Sequence, residues 1–382
     1  MNPQTSIINS TSYIPSDIYQ EILLVLEHED HIILATIIST SGSTPASSLS
    51  KMIIKNGGTI SVGTIGGGCM EGKVIFHANR LYNTGKTEIL TFELNEDDIE
   101  SGLICGGSLD VLIEPITREF IPIYQKIKSL RENGEDCVLG TLLKKDMTIE
   151  SKIIFRRGNG LLDKWIVDDT LNHSTTQLLP PSITPQLQQS IILAYQKNEV
   201  IRLKLESGEL ILEPIRGVPR LIVFGGGHVS KFVSQVATMS GFQVTVIDDR
   251  EKFANPQRFP EASKTIVADF SDAFKHLTIN DSTYIVIVTR GHKYDEIVLE
   301  QAVKTNAKYI GMIGSKRKVQ TIFDHLREQG ITEKQLKKVH APIGIDIGAV
   351  TIEEIAVSIV AEMIRVRRGL NKPLQSMSET MK

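Results

Sequence analysis

Cysteine is scarce in this chain: 382 residues carry three, Cys69, Cys105 and Cys137, an odd number at wide spacing. Such a set excludes a disulfide framework, and without CxxC pairs it excludes a structural zinc or iron–sulfur site. Any cysteine chemistry is therefore that of free thiols. A basic excess is also missing. With 42 Lys+Arg against 45 Asp+Glu and a net charge of -3, the chain offers no electrostatic stripe for nucleic acid or an anionic membrane. No apolar run approaches the roughly 20 residues that span a bilayer, and the first residues lack a charged segment followed by an apolar one. A cytoplasmic protein with no nucleic-acid and no membrane partner is expected.

What is present is pattern. From Arg220 onward the short apolar runs RLIVFG, FQVTVIDD, KTIVAD, TYIVIVT and KYIGMIG are each followed by helix-length amphipathic sequence. Strands alternating with helices predict an α/β fold, a Rossmann-like doubly wound parallel sheet. The N-terminal part reads as an α+β domain. After a polar tail, PSDIYQEILLVLEHED is a helix with Ser16 as N-cap, HIILATIIS a strand, and KMIIKNGGTISVG a hairpin about Asn56-Gly57-Gly58. A helix over MEGKVIFHANRLYNTG and the strands ILTFEL and CGGSLDVLIEPI complete it. The middle region is β-rich. Its last strand, LILEPI at 210–215, echoes VLIEPI at 111–116, and both are read as strands at sheet edges. Expected boundaries are 1–117 for the N-terminal domain, 118–216 for the middle region continuous with it, 217–372 for the Rossmann-like domain and 373–382 for a tail.

Two places carry chemistry. In the second domain, a strand runs into Gly225-x-Gly227-x-x-Ser230 and a helix opened by His228, and a second strand ends in Asp248-Asp249-Arg250. Glycines let backbone N–H groups approach a phosphate, the helix start favours its charge, and Asp248 is placed to accept a ribose hydroxyl. Other strand ends on the same edge supply His292, Asp295, Ser315, Lys316, Arg317, His340 and Asp346, which together suit an anion. TIEE at Thr351–Glu354 matches a capping box, so Glu354 is expected to bond backbone. In the first domain, Gly66-Gly67-Gly68 stand directly before Cys69 and a helix, and Cys105 is followed by Gly106 and Gly107. A thiol at a helix start meets partial positive charge, which suits a nucleophile, a soft-metal ligand or a sulfur acceptor. Cys137, in a strand-like run, reads as an inert core residue.

The segments GGGCMEG, CGGSLDVLIEP, FGGGHVS with VIDDR, YIGMIGSKRK and HAPIGIDIGA with EEIAVSIVAE resemble the XdhC/CoxI-type xanthine dehydrogenase accessory family, at both ends of the chain and in family order. The resemblance implies a protein that holds molybdenum cofactor, in its molybdopterin or dinucleotide form, assists its sulfuration and delivers it to a xanthine dehydrogenase-type apoenzyme. It further implies a cysteine desulfurase or other sulfur donor as partner, and a homodimer. By motif, Cys69 is the first candidate molybdenum contact, Cys105 the second, and Glu71 a companion. Ala46 stands where the family carries an arginine. A hydroxylase itself would need iron–sulfur cysteine sets that three scattered cysteines cannot supply. Two other readings stay open: an NAD(P)-dependent oxidoreductase with His292 as acid or base, and a scaffold that binds nothing.

Overall fold

The computed structural model describes residues 6–9, 17–93, 107–157, 165–167 and 185–370. The chain divides into two compact units, one of residues 16–217 and one of residues 218 onward together with the first 15. In chain order, β1 (Ser6–Asn9) belongs to the latter unit. The former runs α1 (Ile18–Leu26), β2 (His31–Ser41), β3 (Lys51–Ile54), β4 (Ile60–Gly63), α2 (Gly68–Leu81), β5 (Glu88–Glu93) and β6 (Ser108–Thr117). It continues with α3 (Ile121–Glu132), β7 (Cys137–Lys144), β8 (Ile149–Arg157), β9 (Trp165–Val167), α4 (Pro185–Lys197), β10 (Ile201–Lys204) and β11 (Gly208–Ile215).

The second half of that unit repeats the first, element for element. The two five-stranded sheets have the orders β4-β3-β2-β6-β5 and β9-β8-β7-β11-β10, the same path traced twice. The sequence keeps traces of it: Ile18-Tyr19-Gln20 recurs as Ile123-Tyr124-Gln125, Ala35-Thr36 as Gly140-Thr141, and VLIEPI as LILEPI. Packing keeps more. One shared core takes matched residues from both copies, Tyr19 with Tyr124, Ile22 with Ile127, Leu34 with Leu139, Ile53 with Ile154 and Ile116 with Ile215. The outer face of each sheet is covered by its own helix, α2 through Met70 and Val74, α4 through Leu187 and Ile191.

The copies are also joined by crossed ion pairs. Lys51 of β3 donates to Glu213 of β11 at 2.8 Å and to Thr36 at 2.9 Å. Lys152 of β8 donates to Glu114 of β6 at 2.6 Å and to Thr141 at 2.9 Å. The glutamate of each EPI segment thus receives the lysine of the other copy. A buried charge is tolerated only when paired and hydrogen-bonded, so the two pairs fix how one sheet registers on the other.

Four expectations are corrected here. The echoing strands β6 and β11 are second from the edge, not edges, because β5 and β10 pair outside them. The middle region contains two helices, α3 and α4, whose apolar faces match α1 and α2 of the first copy. The polar tail includes β1, which pairs antiparallel with Lys264–Val267. Helix α1 is capped by Asp17, whose carboxylate accepts the Tyr19 amide at 3.0 Å, rather than by Ser16, which lies outside the described residues.

The other unit runs β12 (Arg220–Phe224), α5 (His228–Met239), β13 (Gln243–Asp248), β14 (Lys264–Val267), β15 (Thr283–Ile287), α6 (His292–Ala302), β16 (Tyr309–Met312), α7 (Lys316–Glu328), α8 (Glu333–Leu336), β17 (Val339–His340) and α9 (Ile352–Arg367). Its sheet order is β1-β14-β13-β12-β15-β16-β17, parallel from β14 to β17. The chain starts in the middle and reverses direction between β12 and β15, which is the Rossmann order and places a crevice at the C-terminal ends of those two strands. Helices α6 and α7 bury Val298, Leu299, Val319 and Ile322 on one face; α5 and α9 bury Val233, Ala237, Ile359 and Met363 on the other. Thr351 and Glu354 form the expected capping box of α9.

Candidate functional site

In the first unit the glycine run solves a steric problem. Gly66, Gly67 and Gly68 have φ of 123, 78 and 60°, a region that side-chain-bearing residues rarely adopt. A Cβ on Gly66 would stand 2.7 Å from Met70 and 2.9 Å from Pro45, whereas at Gly67 and Gly68 it would meet nothing within 4 Å. The loop is packed on one side and open on the other. Cys69 sits on the open side, exposed, in the first turn of α2.

Glu71 holds this loop. Its Oε1 accepts the Thr64 hydroxyl at 2.6 Å, the Ile65 amide at 3.1 Å and the Gly67 amide at 3.0 Å. One carboxylate oxygen thereby takes up three donors of the connection that leads into α2. Expected as a companion contact of Cys69, Glu71 turns to the loop and positions it. A second loop approaches from β2 and β3: besides Pro45 against Gly66, a Cβ on Gly107 would lie 2.4 Å from the carbonyls of both Ser41 and Ser43. Residues 41–46, the glycine run and Gly107 therefore meet. Cys105 and Gly106 lie outside the described residues. Ala46 packs against the core under α2. Cys137 is fully buried, at the core position that Ile32 holds in the first copy.

Among the described residues the second copy shows none of these features. Where 42–50 join β2 to β3, residues 145–148 make the matching turn, and where 94–107 join β5 to β6, residues 205–207 suffice. With Met70 and Val74 of α2 aligned on Leu187 and Ile191 of α4, the place of Cys69 is held by Gln186.

At the crevice of the second unit, Gly225 has φ 103° and a Cβ there would stand 2.5 Å from the Val288 carbonyl. Gly226, which sequence reasoning passed over, is tighter still: a Cβ would meet the Phe253 carbonyl at 2.1 Å. Gly227 opens on space, and His228 beside it is exposed at the start of α5. Ser230, in place of a third glycine, is buried and donates its hydroxyl back to the Gly225 carbonyl. Asp248, expected to face a ribose, is 1% exposed and its carboxylate is filled. It accepts the Gly226 amide at 2.8 Å, the Arg250 amide at 3.1 Å and the Arg250 guanidinium at 2.8 and 3.1 Å. Burial at the end of β13 leaves this acid to brace the loop.

Asp249 is more open and is gripped by Arg290 at 2.5 and 2.7 Å. Burial raises its carboxyl, but Arg290 and Arg250 outweigh that and leave it below the usual carboxylate range. This pair ties the end of β13 to the turn that carries His292, which is exposed. Asp295 is buried and accepts the Thr289 hydroxyl at 2.7 Å and the Lys318 ammonium. Ser315 caps α7 by accepting the Lys318 amide at 3.3 Å, and Lys316 and Arg317 are exposed beside it. His340 turns to α9 instead: Glu362 accepts its Nδ1 at 3.1 Å, the Tyr309 hydroxyl at 2.5 Å and the Gly344 amide at 2.9 Å. Asp346 is exposed and accepts the Gly348 amide at 3.2 Å. Sequence reasoning missed Lys318 and Glu362. Lys318 stands in a basic run that hides it, and Glu362 gives no signal. Among the described residues no group of three His, Cys, Asp or Glu could hold a metal ion, and no helix is long and apolar enough to cross a membrane.

Comparison with known proteins accords with both ends of this description. Residues 25–93 match the model of the XdhC and CoxI family, and residues 221–363 match that of the XdhC Rossmann domain. Escherichia coli YqeB, an uncharacterized protein, is 35% identical over 152 residues, and the match spans 40% of this chain and 28% of YqeB. A Bacillus subtilis protein, named as one probable xanthine dehydrogenase subunit, is 24% identical over 90% of this chain and 96% of its own length. The molybdenum cofactor insertion chaperone PaoD of Escherichia coli is 19% identical over 88% of the chain and 83% of PaoD. A crystal structure from Bacillus halodurans, described as a xanthine dehydrogenase, superposes with a TM-score of 0.70 at 23% identity over 94% of this chain and 99% of that one, which shows a common fold. With both family segments matched in order, on a Rossmann sheet and a cysteine–glycine domain, the chain belongs to the XdhC and CoxI family.

Proposed function

We propose that the chain binds molybdenum cofactor at Cys69 and its glycine loop, assists conversion to the sulfurated form, and delivers it to a xanthine dehydrogenase-type apoenzyme. The observation that carries this reading is the contrast between the two repeats. One scaffold is built twice, and among the described residues only the copy with Cys69 has the exposed thiol and the braced glycine loop, with the longer β2–β3 and β5–β6 connections beside them. A thiolate is a soft donor suited to molybdenum or to its transferable sulfur, and the positive end of the α2 dipole favours an anion. Sulfur comes from a cysteine desulfurase or another persulfide donor. Cys105, outside the described residues, is by motif the second candidate thiol. The insertion-chaperone name of PaoD and the xanthine dehydrogenase name of the Bacillus subtilis relative support the cargo and its destination.

The crevice at Gly225, Gly227 and His228 supports nucleotide binding in the second unit, by NAD(P) or by the nucleotide part of a dinucleotide cofactor. A glycine loop at the Rossmann reversal point favours that as a second reading, an NAD(P)-dependent oxidoreductase. Protein purified from molybdenum-replete cells separates them. Co-purifying molybdenum and pterin fluorescence agree with the accessory role; bound NAD(P) with substrate-dependent turnover and no molybdenum contradicts it.

A further inference from the structure

Beyond Cys69, helix α2 borders a groove. A cavity of about 190 Å³ lies between this helix and strand β5, lined by Lys73, His77, Leu90, Thr91, Phe92 and Glu93. Cys69, Lys73 and His77 follow one another at four-residue spacing, so they share a helix face. At roughly 1.5 Å rise per residue, Lys73 lies about 6 Å and His77 about 12 Å along the axis from Cys69.

The charges of the groove are arranged. Lys73 makes no ion pair among the described residues and is exposed. His77 gives its Nδ1 to Glu88 at 3.0 Å, which fixes the ring and leaves Nε2 for a ligand. Glu93 stands on the β5 wall. Asp110 of β6 is taken up by the Thr91 hydroxyl at 2.7 Å. Among the described residues, an ammonium without an ion pair and an oriented imidazole thus face a cleft whose other wall carries Glu93, while Glu88 and Asp110 are already bonded.

The duplicated scaffold supplies an internal comparison. Aligning the buried faces of α2 and α4, with exposed Phe76 on exposed Leu193, puts Ser190 at the place of Lys73 and Ala194 at that of His77. The copy without the thiol also lacks the lysine and the histidine. Three chemistry-bearing residues on one helix face differ together between two helices whose core positions match at Met70 with Leu187 and at Val74 with Ile191.

The geometry points to this groove as the subsite for the phosphate of the cargo, with Lys73 and His77 as hydrogen-bond donors to it and the metal of the same molecule at Cys69. This rests on the proposed function above and adds to it which end of the cofactor lies where. Molybdopterin is a pterin with a single terminal phosphate, and an elongated ligand held at Cys69 along α2 would carry that phosphate one to two helical turns away. A phosphate monoester matches an ammonium as a charge-assisted hydrogen-bond donor and an imidazole N–H as a second donor.

The test uses the full chain and two fluorescent probes: the oxidised pterin derivative of the cofactor with its phosphate, and the same pterin after phosphatase treatment. The subsite predicts that the wild-type protein binds the phosphorylated probe at least about tenfold tighter, a difference of about 1.4 kcal/mol. Lys73→Ala should bring the two affinities together without changing that for the dephosphorylated probe, and Lys73→Arg should keep the preference. Equal binding of both probes by the wild-type protein overturns the subsite and leaves the proposed function standing. Binding of neither probe at millimolar concentration likewise overturns the subsite, whereas failure of the intact molybdenum cofactor to bind the wild-type protein contradicts the proposed function.

Discussion

Glu71 accepts the amide of Gly67 at 3.0 Å, closing the loop that precedes its own helix. The same oxygen takes the Ile65 amide and the Thr64 hydroxyl, so this acid holds the open glycines in place while Cys69 is presented to solvent. Glu71→Ala is expected to cost about 1–2 kcal/mol, the range for loss of a helix cap. That is a fall in Tm of about 2–8 °C, read by calorimetry. Glu71→Gln, which keeps an acceptor, should recover most of it. An unchanged Tm for the alanine variant would mean that water replaces the carboxylate without loss.

Thiol exposure gives a second expectation. Cys69 is exposed and Cys137 fully buried. Alkylation of native protein should modify Cys69 within the fast phase and leave Cys137 for the denatured state. Mass mapping of labelled peptides checks it, and early label on Cys137 would contradict the assigned core position.

How much of this was legible in the sequence depended on where the signal lay. The Rossmann half was readable because buried parallel strands are continuous apolar runs and each is followed by an amphipathic helix. The duplication was nearly invisible. Its copies share a core pattern and a few residues such as Tyr19 and Tyr124 or Glu114 and Glu213, while differing wherever loops were lengthened or shortened. The LILEPI echo was its one plain trace, and placing those strands at edges missed β5 and β10 outside them. Cys69 and the glycines stand out as candidates in the sequence because residue type and spacing carry that chemistry. The bracing roles of Glu71, Asp248 and Glu362 do not, because which way a carboxylate turns is decided by packing.

The crossed lysine–glutamate pairs lead to a third prediction. Lys152→Met leaves Glu114 buried without its cation and should destabilise the protein by about 3–5 kcal/mol in chemical denaturation. The double variant Lys152→Met with Glu114→Leu should regain most of that loss. A single variant as stable as the wild type would show that the pair does not hold the two sheets in register.

Acid stability isolates Glu362. Burial raises its carboxyl, but hydrogen bonds from His340, Tyr309 and the Gly344 amide outweigh that and leave it lowered from the usual 4.5. With the folded value below the unfolded one, its contribution is present above pH 4.5 and is lost as pH falls through the folded value. Glu362→Gln should therefore lower Tm near neutral pH and reduce the further fall between about pH 5 and 3. Parallel Tm curves for variant and wild type across that range would contradict the assignment.

The two neighbouring glycines of the crevice should behave differently. Gly226→Ala puts a Cβ 2.1 Å from the Phe253 carbonyl and should destabilise the Rossmann unit, whereas Gly227→Ala meets open space and should fold normally. Gly227→Val, also folded, should weaken nucleotide binding in a calorimetric titration with NAD(P). Full nucleotide affinity in that variant would remove the loop from the proposed nucleotide site.

The most direct test of the central claim is equilibrium dialysis of molybdenum cofactor against wild-type protein, Cys69→Ser and Cys137→Ala. The account predicts at least about a tenfold loss of affinity, about 1.4 kcal/mol, for Cys69→Ser with Tm unchanged, and wild-type affinity for folded Cys137→Ala. Wild-type affinity in Cys69→Ser would contradict it, and so would an equal loss in the Cys137 variant.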